Sequence, residues 1–229
     1  MLGMALDGGA MRLSYFTGFL HGLQEHDVQA EQMVGISIGA LMSMGYLAGV
    51  PMKETFDELI PWAVKRRFTY DIYGQFLDFN MERYIRPEHL ERFNGRLKIV
   101  ATRVSLLGLE TRVFDSYSDM QDLRRKLQAS GSLPYLNEFP VRINDDWYVD
   151  GYATCWNPAV HLDTPRKLTV VGIPEWTNIS HARELGDVVV MDDSRGHGLV
   201  STFLLDEQVA RDWFEVGHAK ALEYLKAQT

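Results

Sequence analysis

Short apolar runs alternate with amphipathic stretches from the first residues onward. Leu2–Leu6 is an apolar run closed by Asp7-Gly8-Gly9, the pattern of a buried strand followed by a turn. In Tyr15-Phe16-x-x-Phe19-Leu20-x-x-Leu23 the apolar positions recur every three or four residues, which is helical spacing. Met33–Ile36 predicts a second strand, Ile38–Leu47 a second helix, and Met52–Val64, after Pro51, a third. Ala40–Val50 is the longest apolar run, but it holds two glycines and a serine; it is too short to span a bilayer and reads as a buried helix. Further on, Leu97–Thr102 and Glu110–Phe114 predict strands, and Met120–Ala129 a helix. Trp147-Tyr148-Val149 predicts a short strand after the turn Asn144-Asp145-Asp146. Leu168–Ile173 and Val188–Met191 are β-branched apolar runs of the kind that parallel sheets bury. Phe203–Leu225 predicts a long amphipathic helix at the end. Such alternation predicts an α/β fold with a mostly parallel central sheet and helices on both faces. No repeat or linker interrupts residues 1–229, so one domain is expected.

Composition narrows the class. With 46% hydrophobic and 24% charged residues, the chain resembles an ordinary globular protein able to bury a core. Cys155 is the only cysteine, which excludes an intrachain disulfide and predicts a reducing compartment. The N-terminal run lacks a basic segment and is interrupted by Asp7, so no signal peptide is expected and a cytoplasmic location is. A net charge of −8 argues against a general polyanion binder, and no nucleic-acid motif is present. The charge is uneven: between Pro61 and Arg103 nine Lys and Arg face five acids. This basic stretch interleaves Phe68, Tyr70, Tyr73, Phe76, Phe79, Tyr84 and Phe93. Two readings fit, a peripheral lipid interface or a packed subdomain with a basic rim. The methionines Met11, Met33, Met42, Met44 and Met52 read as core filler. No His-x-x-x-His or cysteine cluster has metal-ligand spacing, so no metal and no cofactor are expected; Asp192-Asp193 reads as a loop. The oligomeric state stays open.

Two motifs carry chemistry. Gly35-Ile36-Ser37-Ile38-Gly39 places a serine between a strand and a helix, on a sharp turn with the helix N-terminus behind it. Asp7-Gly8-Gly9-Ala10-Met11-Arg12 is a glycine-rich turn after the first strand, a source of backbone N–H groups for an oxyanion. Ser37 needs a base. One option is a histidine in a Ser-His-Asp triad, drawn from His161, His181, His197 or His218, of which His197 alone lies in a suggestive loop, Ser194-Arg195-Gly196-His197-Gly198. Only two strands precede Ser37, whereas an α/β-hydrolase places several before its nucleophile. The other option is a carboxylate: Trp147-Tyr148-Val149-Asp150-Gly151 delivers Asp150 at a strand end, although an Asp-Gly pair also suits a plain turn.

In combination, Gly-Gly-x-x-Arg, Gly-x-Ser-x-Gly and a later Asp-Gly resemble the patatin-like phospholipases. Arg103–Asp115, Ala129-Ser130-Gly131-Ser132-Leu133-Pro134 and Trp213-Phe214-Glu215-Val216-Gly217-His218-x-x-Ala221 are similar to further family segments, so the resemblance covers most of the chain. It implies a three-layer α/β/α patatin-like domain, and a lipid acyl ester hydrolase working through a Ser-Asp dyad without histidine. Carried over position by position, Ser37 is the nucleophile, Asp150 the base, and Gly8, Gly9 and Ala10 the oxyanion turn. Gly35, Gly39 and Gly151 are supporting positions. Arg12 matches the family's basic position, either as a brace for the turn or for an anionic substrate group, or as a solvated helix arginine. The sequence departs from the pattern at Ala10 and Leu13, where glycines are usual, and at Tyr152, where glycine or alanine follows Asp-Gly. Ala10 is expected to be strained at positive φ, and Leu13 to add bulk near the oxyanion turn. These departures keep open a degenerate relative that binds lipid or a protein partner without turnover.

Overall fold

The computed structural model describes residues 1–66, 71–134, 136–191 and 206–228. In chain order the elements are β1 (Leu2–Leu6), α1 (Leu13–Gln24), β2 (Gln32–Ile36), α2 (Ile38–Ala48), α3 (Met52–Val64), α4 (Ile72–Tyr84), α5 (His89–Phe93), β3 (Leu97–Ser105), β4 (Gly108–Phe114), α6 (Met120–Ser130), β5 (Val141–Ile143), β6 (Asp146–Asp150), β7 (Arg166–Val171), α7 (Ile179–Leu185), β8 (Asp187–Val190) and α8 (Glu207–Lys226). Eight strands form one sheet in the order β5-β6-β3-β2-β1-β7-β8, with β4 also paired to β3. The five strands from β3 to β8 are mutually parallel, while β4, β5 and β6 attach antiparallel. β1 lies at the switch point: the chain leaves it for β2 on one side, and returns to its other side only at β7. In open parallel sheets, ligands bind beyond the strand ends at such a point.

Strand alternation sorts the core into two unequal layers. Met4, Leu6, Met33, Leu97, Ile99, Leu168 and Val170 face the larger cluster, which includes α1, α2, α3 and α8. Ala5, Val34, Ile36 and Val100 face the other side, where Cys155, Ala159 and Leu162 cover them. The second layer is therefore thin, made of 3-10 turns at Gly151–Ala153 and Pro158–His161, with Leu185 of α7 against it. Each fully buried Phe or Leu in the larger cluster contributes about 1.5–3 kcal/mol.

The basic, aromatic stretch is a packed unit where it is described. Tyr73, Phe76 and Phe93 are buried, and Phe79 and Tyr84 are partly buried against the core. Its apolar rings face inward because α4 and α5 pack on the main cluster; Arg67, Phe68 and Tyr70 lie outside the described residues. The closing helix is described over Glu207–Lys226, and Asp206 caps it by accepting the Gln208 and Val209 N–H groups at 2.9 and 3.1 Å. Phe203–Leu205, Asp192-Asp193 and His197 are outside the described residues. Among the described residues no helix is long and apolar enough to cross a membrane.

Candidate active site

Strand register brings positions 37 and 150 together. On one edge of β3, Val100 pairs with Ile36 of β2 and the next residue, Ala101, pairs with Asp150 of β6. β2 runs parallel to β3 and β6 antiparallel, so the C-terminal ends of β2 and β6 meet head to head. Ser37 follows the first and Asp150 ends the second. Gly151 permits this junction, since a Cβ there would lie 2.6 Å from the Val100 carbonyl oxygen and 3.0 Å from Ile36 Cγ2.

Ser37 occupies a strained elbow, with φ 55 and ψ −126, at the N-terminus of α2. A non-glycine residue held there costs of order 1–3 kcal/mol. The flanking glycines explain how the elbow closes. A Cβ on Gly35 would collide with the Ala40 backbone, and one on Gly39 with the Asp7 carbonyl. Ser130 braces the turn: its hydroxyl accepts the Ser37 N–H at 2.8 Å and donates to the Val100 carbonyl at 2.5 Å. From the opposite side the Tyr73 hydroxyl lies 3.2 Å from the Ser37 carbonyl.

Asp150 is buried. Its Oδ1 accepts the Tyr152 N–H at 2.9 Å, while Oδ2 has no hydrogen-bond partner of regular geometry. Burial pushes its pKa from 3.8 up to about 7, against the opposing effects of the Tyr152 N–H and the Ser37 hydroxyl. A carboxylate with that pKa, beside a hydroxyl and with an unused oxygen, is matched to proton abstraction near neutral pH.

The glycine turn faces the same space. Gly9, Ala10, Ser37, Asp150, Tyr152 and Trp176 line a cavity of about 370 Å³, completed by apolar side chains that include Leu133, Phe139 and Ile173. Ala10 has φ 43, the strained conformation expected for alanine in place of glycine. Leu13 does not crowd the turn; it is buried in the main core on α1. The Gly8 N–H already has a protein partner, the Tyr152 hydroxyl at 3.2 Å, which leaves Gly9 and Ala10 as the turn's cavity-lining members. Arg12 is no solvated helix arginine. It is 2% exposed, donates to the Gly172 carbonyl and stacks on Trp213 at 5.7 Å, tying the turn to the end of β7. No histidine among the described residues lines the cavity: His161 sits beside Cys155 and His218 pairs with Glu25.

A family model for patatin-like phospholipases matches residues 4–162. The chain belongs to the patatin-like phospholipase family. A relative called "Probable lipid hydrolase 463L", from Invertebrate iridescent virus 6, is 24% identical over 177 residues, which cover 67% of this chain and 60% of the relative. Among solved structures, the ExoU–SpcU complex from the type III secretion system of Pseudomonas aeruginosa matches 99% of this chain and 51% of its counterpart, with a TM-score of 0.53 at 14% identity. A structure of the type III effector ExoU matches 98% of this chain and 52% of its own, with a TM-score of 0.51 at 15% identity. The chain thus spans about half the length of these structures, and at such identities the likeness is one of fold.

Several residues of this patatin-like site carried no assigned role in the sequence. Asp7 is fully buried under the turn, accepting from the Gly172 N–H at 2.7 Å and the Thr177 hydroxyl at 2.5 Å; burial raises its pKa to about 6. An acid between a buried strand and a glycine pair was the available signal. Tyr152 fills the position that the family gives to a small residue. Its ring lies against Gly8, where a Cβ would be 3.0 Å or less from it, and edge-on to Trp176 at 5.8 Å. Ser130 lay in a segment similar to the family's but without a role, and no local pattern announces Tyr73 or Trp176; the roles of all three arise from contacts across the fold.

Proposed function

We propose that this protein is a serine-dependent lipid acyl hydrolase that works through a Ser37–Asp150 dyad. The observation that carries the reading is the head-to-head meeting of β2 and β6 on β3, with Asp150 held near neutrality beside Ser37. Asp150 accepts the Ser37 proton as the hydroxyl attacks an ester carbonyl. The Gly9 and Ala10 N–H groups, at the N-terminal end of the turn that leads into α1, receive the developing oxyanion. The protonated Asp150 then gives that proton to the leaving oxygen, so the alcohol or lysolipid departs and leaves an acyl-serine. The regenerated Asp150 carboxylate takes a proton from water as it attacks the acyl-serine, and returns it to Ser37 Oγ as the carboxylic acid is released. The apolar cavity lining suits an acyl chain. Profiling fatty acids released from mixed phospholipid and lysophospholipid vesicles tests the reading. Saturable release is expected; no release from any lipid, together with no labelling by a fluorophosphonate, would favour the degenerate relative.

Ala10 offers a check on the turn. An intact but strained oxyanion turn predicts that Ala10→Gly leaves the turnover of a p-nitrophenyl acyl ester similar or modestly raised. A gain on the order of a hundredfold, the value of one restored donor, would mean that the native turn is broken.

Lipid contact belongs on the β3–β4 hairpin and not on the basic stretch. Leu106 and Leu107 at its tip are fully exposed, and Val104, Leu109 and Trp147 beside them are also exposed. β3 runs on from Val100, which pairs with the strand end carrying Ser37, to Ser105. Leu106 is six residues past Val100, and at the strand rise the tip lies roughly 20 Å beyond that strand end. Phe139 and Trp176, which line the cavity, are partly exposed as well. The double variant Leu106→Asp/Leu107→Asp should lower hydrolysis of vesicle phospholipid about tenfold or more, because burial of two leucines is worth a few kcal/mol. Hydrolysis of a soluble short-chain ester should stay at the parental rate. Equal loss on both substrates would reject an interfacial role.

A further inference from the structure

Away from the cavity, His21, Glu25 and His218 converge. His21 and Glu25 are one helical turn apart at the end of α1, and His218 projects from α8. Their ligand atoms all lie within 4.8 Å of one another. His218 Nε2 is 2.5 Å from one Glu25 carboxylate oxygen, and His21 Nε2 is 3.6 Å from the other. The two imidazole rings stack with centroids 5.4 Å apart, so both direct Nε2 at the same carboxylate.

The backbone fixes this juxtaposition. α1 and α8 approach so closely that a Cβ on Gly18 would collide with the Phe214 carbonyl, and one on Gly217 with the Tyr15 carbonyl. A Cβ on Gly22 would lie 2.7 Å from the Ala221 methyl carbon. Gly18 lies three residues before His21, Gly22 lies between His21 and Glu25, and Gly217 immediately precedes His218. The helix crossing that requires these glycines therefore sets His218 against the His21–Glu25 face.

We propose that His21, Glu25 and His218 form a divalent transition-metal site that clips α1 to α8. Two imidazole nitrogens and one carboxylate match the donor set of Zn²⁺, and do not match the all-oxygen shells of Mg²⁺ or Ca²⁺. Tetrahedral coordination with metal–ligand bonds of about 2.0–2.2 Å separates ligand atoms by roughly 3.4 Å. Reaching it requires the close His218–Glu25 contact to open and the wider separations to close, by about an ångström each. The side chains are 22%, 44% and 26% exposed for His21, Glu25 and His218, which leaves them room to rotate and leaves a fourth position to water. The site is independent of Ser37, so its test does not involve hydrolysis.

The test is Zn²⁺ titration of the full chain by calorimetry and thermal denaturation, with Co²⁺ absorption as a report on geometry. One Zn²⁺ should bind per chain, and at about a hundred times its Kd it should raise the melting temperature by roughly 5–10 °C. Co²⁺ should give the visible absorption of a four-coordinate N/O site, and Mg²⁺ and Ca²⁺ should shift nothing. His21→Ala and His218→Ala should each weaken Zn²⁺ at least tenfold. Glu25→Gln, which removes the carboxylate charge and keeps a hydrogen-bonding side chain, should do the same while circular dichroism stays parental. Absence of stoichiometric binding would overturn the proposal. So would Zn²⁺ affinity that survives the histidine variants, for instance through Cys155 and His161, which lie 3.8 Å apart.

Discussion

Asp150→Asn is expected to yield a protein that is nearly inactive yet more stable than the parent at alkaline pH. Asparagine keeps the acceptor that receives the Tyr152 N–H but cannot take the Ser37 proton. The loss of a positioned general base should lower kcat by about 10²–10⁴-fold. Stability moves the other way. The folded-state pKa is raised from 3.8 to about 7, so between these values the folded chain holds a proton that the unfolded chain has released. The contribution of the protonated carboxyl is therefore fully present below about pH 4 and lost as pH rises through about 7, leaving a buried carboxylate that costs of the order of a few kcal/mol. Asparagine carries no such cost, offset in part by its own buried amide. The variant should melt roughly 5 °C above the parent at about pH 8 and close to it at about pH 5. In the parent, kcat/KM should climb with pH and level off above an apparent pKa of about 7. A variant that still turns over, or a parental profile flat from about pH 5 to 9, would rule out Asp150 as the base.

Ser37→Ala should abolish ester hydrolysis, by on the order of 10⁵-fold, with the fold intact. Only a hydroxyl is removed. The braces on the elbow are backbone contacts, the Ser37 N–H to Ser130 and the Ser37 carbonyl to Tyr73, and alanine keeps both. Alanine also tolerates φ 55 no better than serine does, so the strain is unchanged and the melting temperature should stay within a degree or two of the parent. Fluorophosphonate labelling, read by mass on the peptide containing position 37, should disappear in the variant. Retained turnover of a p-nitrophenyl ester, or labelling at another serine, would move the nucleophile elsewhere. A single histidine variant that is folded yet dead would return the argument to a triad.

What the sequence determined by itself is local. Burial periodicity marked β1, β2, α1, α2 and α3 to within two residues or so, because one face of each is apolar over its whole length. The elbow glycines and the Asp-Gly junction were legible because a backbone that must pass within collision distance of another admits only glycine, whatever the rest of the fold does. α4, α5 and α7 were not legible. α4 starts at an Asp71 cap at φ 57 and carries polar residues among its buried ones, α5 has five residues and α7 seven, too few for a period to register. Tertiary structure alone decided the rest. Ser37 and Asp150 meet because β2 and β6 share one edge of β3 in opposite directions, a pairing between distant segments that no window of sequence contains. The same holds for Tyr152, whose bulk looked like a departure from the family pattern and whose hydroxyl instead receives the Gly8 N–H. It holds too for His218, which meets His21 and Glu25 only where close-packed glycines let two helices touch. Local pattern fixes which face of an element is buried and where a turn must bend; which elements then become neighbours depends on contacts spread across the whole chain.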